Sequence, residues 1–157
     1  MHLGVDFIQI REKDLTAREL FEFTLAVIEV RDHEMRKRLP IKILVNSRAD
    51  VAVATGADGV HLPSDAPQQT LSGLLVFRSC HALDEIKRTN ADFVTFGPIF
   101  ESPGKGTPQG LDMLKAACRL GKPVFALGGV NWENAASCVD AGAQGVAGIR
   151  LFQDPSL

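Results

Sequence analysis

Gln9, Arg11 and Lys13 recur at every second position of the stretch Phe7-Ile8-Gln9-Ile10-Arg11-Glu12-Lys13-Asp14. In a strand, that spacing places three polar groups, two of them cationic, on one side. A strand half exposed to water would show the same alternation, so the triplet gains meaning only from its company. The chain supplies that company: Asn46-Ser47-Arg48, His61 followed by Leu62-Pro63-Ser64-Asp65, and Ser79-Cys80-His81. Further on come GPIFESPGKGTPQG at 97–110, with Ser102, Lys105 and Thr107, and Gly128-Gly129 ahead of Asn131, which reads as a helix N-cap. Lysine and arginine draw anions, and a glycine turn leading into a helix offers backbone N–H groups to phosphate. His61 and His81 are imidazoles, the side chains best placed to exchange protons near neutrality, although a buried and satisfied histidine would read the same. Any one polar residue at a strand end is ordinarily just solvated, and paired glycines often only turn the chain. The set as a whole points to phosphate chemistry.

Each cluster follows a short apolar run, so strands are expected near 7–11, 41–46, 59–63, 74–80, 93–97, 123–128 and 145–151. Four stretches repeat one pattern: Gly4-Val5-Asp6-Phe7-Ile8, Gly56-Ala57-Asp58-Gly59-Val60, Asn90-Ala91-Asp92-Phe93-Val94 and Gly142-Ala143-Gln144-Gly145-Val146. A Gly or Asn suited to a left-handed helix end precedes an apolar strand, the mark of a helix handing over to a strand. Between strands lie helical patterns. The first runs from Thr16 to about Arg38, with Thr16 and Glu19 as a capping box and Leu20, Phe23, Val27 and Val30 as the apolar stripe.

Strands alternating with helices imply parallel βα units buried on both faces. Seven strands suggest a barrel, with a doubly wound open sheet as the alternative. Gly4 stands where the other copies place the end of a preceding helix. The expected fold is therefore an α/β TIM (β/α)8-type barrel lacking its first βα unit, a single domain over residues 1–157, with its strand edges exposed unless a partner covers them. Restoring the unit puts Gly128-Gly129 after the seventh strand, where barrels commonly hold phosphate, and puts every polar cluster at the C-terminal, active face. Loop 97–110 is long for a βα connection and reads as a lid.

Composition narrows the field. The 157 residues are 45% hydrophobic, and 17 basic against 19 acidic side chains leave a net charge of -2, which argues against a nucleic-acid partner held by phosphate attraction. Anions must then be met locally, by Arg11, Lys13 and Lys105. No apolar run approaches the roughly 20 residues of a membrane helix and no signal peptide opens the chain, so a soluble, cytoplasmic protein without a membrane partner is expected. Cys80, Cys118 and Cys138 form no close-spaced pair and read as packing residues in a reducing compartment.

In order, Gln-x-Arg-x-Lys, Ala-Asp-Gly-Val-His, Ser-x-His, Gly-Pro-x-Phe-x-Ser-x-x-Lys and Gly-Gly-Val-Asn resemble the thiamine-phosphate synthase and TenI superfamily, over Val5 to about Phe152. The resemblance implies a (β/α)8 barrel, often a homodimer. Its synthase branch joins hydroxymethylpyrimidine diphosphate to thiazole phosphate, with Mg2+ helping pyrophosphate to depart. By that resemblance Gln9, Arg11, Lys13, Asn46 and Lys105 hold the diphosphate, Ser79 and Ser102 assist, and Gly128 and Gly129 hold the thiazole phosphate. Apart from the resemblance, neighbouring strands would put His61 and His81 within reach of one substrate. Two positions depart from the synthase pattern. Ser47 stands where synthases carry Asp, and Asp65 falls one residue out of register with their His-x-Gly-Gln-x-Asp. The Leu62-Pro63-Ser64 run resembles the TenI branch, thiazole tautomerases that work without metal.

The first expectation is accordingly a TenI-like tautomerase with no cofactor. There His81 moves the proton, Arg11 and Lys13 steady the carboxylate, and Gly128, Gly129 and Arg150 meet the phosphate, unless Arg150 instead occupies that site. The alternative is a thiamine-phosphate synthase with Mg2+ at Asp65, and a third reading is a non-catalytic binder of phosphorylated ligands.

Overall fold

The computed structural model describes residues 4–34, 41–149 and 151. Within them are seven strands: β1 (Phe7–Ile10), β2 (Lys42–Asn46), β3 (Gly59–Leu62), β4 (Leu75–Cys80), β5 (Phe93–Phe96), β6 (Val124–Leu127) and β7 (Gly145–Ala147). Five helices intervene: α1 (Ala17–Glu34), α2 (Ala49–Thr55), α3 (Leu83–Arg88), α4 (Gly110–Cys118) and α5 (Ala135–Asp140). The strands follow one another in the sheet in chain order, from β1 to β7. Parallel registers such as Ile10 with Val45, Asn46 with His61 and Ser79 with Thr95 join neighbours. A doubly wound sheet would reverse its strand order part way, so the chain-order sheet is the TIM-type α/β fold.

The chain divides into two compact units, Met1–Leu62 with Thr70–Val76, and Pro63–Gln69 with Phe77–Leu157. The core of the first is Ile10, Leu20, Ile43, Leu44, Val45, Val51, Ala52, Val60 and Leu62. Gly59 is required there, because a Cβ would come within 2.4 Å of the Leu75 carbonyl oxygen. In the second, Cys80, Ile86, Val94, Phe96, Ile99, Leu114, Ala117, Val124, Ala126 and Cys138 form one buried cluster. Phe77 stacks on Phe93 with ring centroids 4.6 Å apart, and Phe125 leans on both. Burial pushes the Cys80 thiol up to about 11 and raises Cys118 and Cys138 as well, which suits packing residues.

The expected capping box is present: the Thr16 N–H donates to Glu19 Oε2 at 2.8 Å and the Glu19 N–H to Thr16 Oγ1 at 3.3 Å. The apolar stripe behind it is not the expected one. Leu20 and Thr24 are buried with Val27 and Ile28 beside them, whereas Phe23 and Val30 are exposed. The buried face follows the i, i+4 row from Leu20, and Phe23 and Val30 lie off it. Of the hand-over residues, Gly56 and Gly142 take the left-handed conformation, while Asn90 does not. α3 closes on Thr89 instead, and Asn90 turns its N–H to Gln68 and its side-chain amide to Gln69. β7 ends at Ala147 rather than 151, and α5 starts four residues after Asn131.

Candidate functional site

Each unit carries its own set of polar groups. In the first, β1 stops at Ile10, so only Gln9 of the expected triplet sits on the strand, and Arg11 and Lys13 stand exposed just beyond it. Gln9 belongs to a chain of hydrogen bonds across three adjacent strands. His61 Nδ1 lies 2.8 Å from Gln9 Oε1, Gln9 Nε2 donates to Asn46 Oδ1 at 2.8 Å, and Asn46 Nδ2 donates to Ser47 Oγ at 3.1 Å. A carboxamide oxygen only accepts, so the His61 ring carries its proton on Nδ1. Burial, reinforced by the charge of Arg11, pulls the His61 pKa down to about 4, keeping the ring neutral at physiological pH.

At the open end of this chain, Ser47 has φ of 60°, the one left-handed non-glycine among the described residues. Its N–H is fixed by the His61 carbonyl at 2.9 Å. A strained residue at the end of a polar relay is a common mark of a functional position. Arg48 beside it is occupied by Asp50, with Nε to Oδ1 at 2.8 Å.

In the second unit, the sequence pointed to His81 but not to what holds it. His81 Nδ1 lies 2.8 Å from the Gly97 carbonyl, which can only accept, so Nδ1 carries the proton and Nε2 is left as an acceptor. The His81 backbone N–H donates to Glu85, and its carbonyl accepts from Gln109 Nε2 at 3.0 Å. Gln109 in turn donates its N–H to the Pro98 carbonyl at 2.8 Å. The imidazole is thus oriented by both ends of loop 97–109. These partners lie 16 and 28 residues away along the chain, and nothing local in the sequence announces them.

That loop is pinned at its base. Ile99 and Phe100 donate to the Leu127 and Gly128 carbonyls, and Gly110 to Ile99. Ser102 and Lys105 lie toward its tip, where the Lys105 N–H meets the Ser102 carbonyl and the Lys105 side chain is exposed. Gly128 and Gly129 have φ of 92° and 67°, and a Cβ on Gly129 would meet the Glu101 carbonyl oxygen at 2.4 Å. Both glycines are needed for turn geometry and for close packing under the loop. After them, Asn131 Oδ1 accepts from the Glu133 and Asn134 N–H groups, while Asn134 returns a bond to the Asn131 N–H and another to the Gly129 carbonyl. Asn131 therefore caps this turn rather than α5 itself. Ser79 is half-buried on β4, and Asp65 is exposed after β3. Arg150 lies outside the described residues.

Arg11, Lys13 and Lys105 make no side-chain hydrogen bond or ion pair among the described residues. No group of three metal-ligating side chains gathers there either, and no described helix is long and apolar enough to cross a membrane.

A TIM-type α/β fold whose strand ends carry free cations, an oriented imidazole and a glycine turn defines an enzyme of small-molecule chemistry. A family model described as thiamine monophosphate synthase matches residues 1–152, and the chain belongs to that family. A putative thiamine-phosphate synthase of Geobacter sulfurreducens is 41% identical over 97% of this chain and 76% of its own length. The thiamine-phosphate synthase of Chloroflexus aurantiacus is 37% identical over 92% and 70%. Among solved structures, thiamine phosphate pyrophosphorylase from Pyrococcus furiosus superposes with a TM-score of 0.77 at 27% identity, covering 93% of this chain and 73% of that one. The relatives bear the synthase name, so the weight moves from the tautomerase expected first to the alternative.

Proposed function

We propose that the chain is a thiamine-phosphate synthase, in which the thiazole nitrogen attacks the pyrimidine methylene carbon as its bond to the diphosphate oxygen breaks. The observation that carries this reading is the set of three cations, Arg11, Lys13 and Lys105, that have no ion-pair partner among the described residues, in a chain of net charge -2. A charge left without a carboxylate partner at a strand end is available to an anionic ligand. In the first unit, Arg11 and Lys13 would take diphosphate oxygens, with Gln9 and Asn46 supplying neutral donors and acceptors. In the second, Lys105 and Ser102 would meet an anionic ligand from the loop tip, Ser79 assisting, while the Gly128-Gly129 turn offers backbone N–H groups to the thiazole phosphate. Lysine and arginine suit this work because negative charge grows on the departing diphosphate in the transition state.

The family resemblance brings Mg2+ with it. Asp65 is an exposed carboxylate without an ion-pair partner among the described residues, and Mg2+ characteristically takes one or two carboxylates together with substrate phosphates and water. Asp65 fits such a site with the substrate diphosphate as co-ligand, where the cation would neutralise charge on the leaving group. Formation of thiamine phosphate from the two substrates, dependent on Mg2+, is the test. No product under saturating substrate and cation would overturn the reading.

A second reading, the metal-independent thiazole tautomerase, is favoured by one observation. His81 holds its proton on Nδ1 and presents Nε2 as a base, and Ser47 supplies no carboxylate for a metal. Isomerisation of thiazole phosphate carboxylate that persists in the presence of chelator and vanishes in His81→Ala would establish it.

A further inference from the structure

Arg78 lies in the middle of β4, 2% exposed, in a strand otherwise read as core. A buried guanidinium ordinarily pairs with a carboxylate, because an unpaired charge in a dry interior costs several kcal/mol. Arg78 has no carboxylate partner among the described residues. Its Nη1 instead donates to the carbonyls of Ala66 at 2.6 Å, Ser64 at 3.3 Å and Pro63 at 3.4 Å, and Nη2 to that of Pro67 at 2.9 Å. Nε is buried with no partner among the described residues. Four of the five carbonyl groups from Pro63 to Pro67 therefore surround one cation, and the one left out belongs to Asp65.

The sequence explains the match. Pro63 and Pro67 have no N–H, so Pro63-Ser64-Asp65-Ala66-Pro67 is rich in acceptors and poor in donors. Such a run cannot complete a ladder or a helix turn by itself, while a guanidinium offers donors in a fixed planar fork and accepts nothing. The Ala66 N–H also closes on the Pro63 carbonyl at 3.2 Å, which makes Asp65 the third residue of a four-residue turn. With the backbone on both sides turned inward to Arg78, the Asp65 side chain is exposed.

We propose that Arg78 is a positioning residue. It clamps the 63–67 turn onto β4 and so fixes the direction in which Asp65 presents its carboxylate to the cation-bearing diphosphate. The role rests on the synthase reading above. The Arg78 guanidinium is spent on the carbonyls of Pro63, Ser64, Ala66 and Pro67 and acts through the backbone it holds. Lysine in its place would keep the charge and lose the fork, so the turn would relax although the cation survived.

The test uses the full chain with Mn2+ and inorganic pyrophosphate, reading bound metal from loss of the free Mn2+ resonance. Wild type binds the pair; Asp65→Asn and Arg78→Lys each weaken binding about tenfold, the size expected when a ligand or the group orienting it is lost. If Arg78 acts through Asp65, the double variant binds no more weakly than Asp65→Asn alone. Multiplying losses, or unchanged binding in Arg78→Lys, would overturn the role. Should Arg78→Lys fail to fold, Ser64→Asp/Asp65→Ser leaves the clamp intact and moves the carboxylate by one residue. Loss equal to that of Asp65→Asn supports the clamp, and retained binding overturns it. A wild-type chain that makes thiamine phosphate but shows no Arg78 effect refutes only the positioning role. A wild type that neither binds Mn2+ with pyrophosphate nor makes product refutes the synthase reading and this role with it.

Discussion

Two loops of the second unit, 63–67 and 97–109, follow strand ends and carry polar residues, yet they are held in opposite ways. The first is gripped along its whole length by one buried guanidinium, through four carbonyl contacts. The second is held only at its base, by bonds from Ile99, Phe100, Gln109 and Gly110, with a single backbone bond between Ser102 and Lys105 toward the tip. A loop fixed throughout suits a group whose direction matters, such as a metal-binding carboxylate. A loop fixed at its base can orient His81 through Gly97 while leaving Lys105 free to follow a substrate.

Breaking the grip on the first loop should have the largest effect on stability. Arg78→Gln removes a buried donor set and leaves carbonyls unmet, so urea unfolding should show a loss of about 3–5 kcal/mol. A loss below about 1 kcal/mol would mean that the carbonyl cage is incidental.

Next in size is a control outside both loops. His61 has its folded pKa depressed to about 4 from an ordinary 6.5, so the unfolded chain binds the extra proton. Its contribution is complete above about pH 6.5 and is lost as pH falls toward 4, amounting to about 3 kcal/mol at that end. Unfolding followed between pH 7 and pH 4 should show this slope in wild type and a smaller one in His61→Gln.

Gly129→Ala disturbs the base of the second loop, since its Cβ would strike the Glu101 carbonyl oxygen in a backbone conformation that alanine resists. A cost of about 2 kcal/mol is expected in the same unfolding assay, together with weaker binding of thiazole phosphate. Lys105→Ala, at the exposed tip, should sharpen the contrast most clearly. Stability should change by less than about 0.5 kcal/mol, while kcat/KM for the condensation falls about 100-fold.

Much of this architecture can be read from the residues alone, because buried parallel strands are written as apolar runs and each of the seven lies within a few residues of where its run predicts. Apolar content was a poorer guide within α1, where Phe23 and Val30 carry the right chemistry on the wrong side of the helix. The polar triplet Gln9, Arg11 and Lys13 was legible as residues but not as geometry, since β1 ends before Arg11. His81 stands out by its Ser-x-His motif, whereas Gly97 and Gln109, which hold it, are joined to it only by folding. The one signal of Arg78 in the sequence is a charged residue inside Leu75-Val76-Phe77-Arg78-Ser79-Cys80, after a segment with two prolines and many acceptors.

The most direct measurement is a single preparation assayed for both reactions: thiamine phosphate formed from hydroxymethylpyrimidine diphosphate and thiazole phosphate, and isomerisation of thiazole phosphate carboxylate, each with Mg2+ and with chelator. The expected result is Mg2+-dependent thiamine phosphate, lost on addition of chelator, with isomerisation at background. Isomerisation that ignores the chelator, with no thiamine phosphate formed, would contradict it.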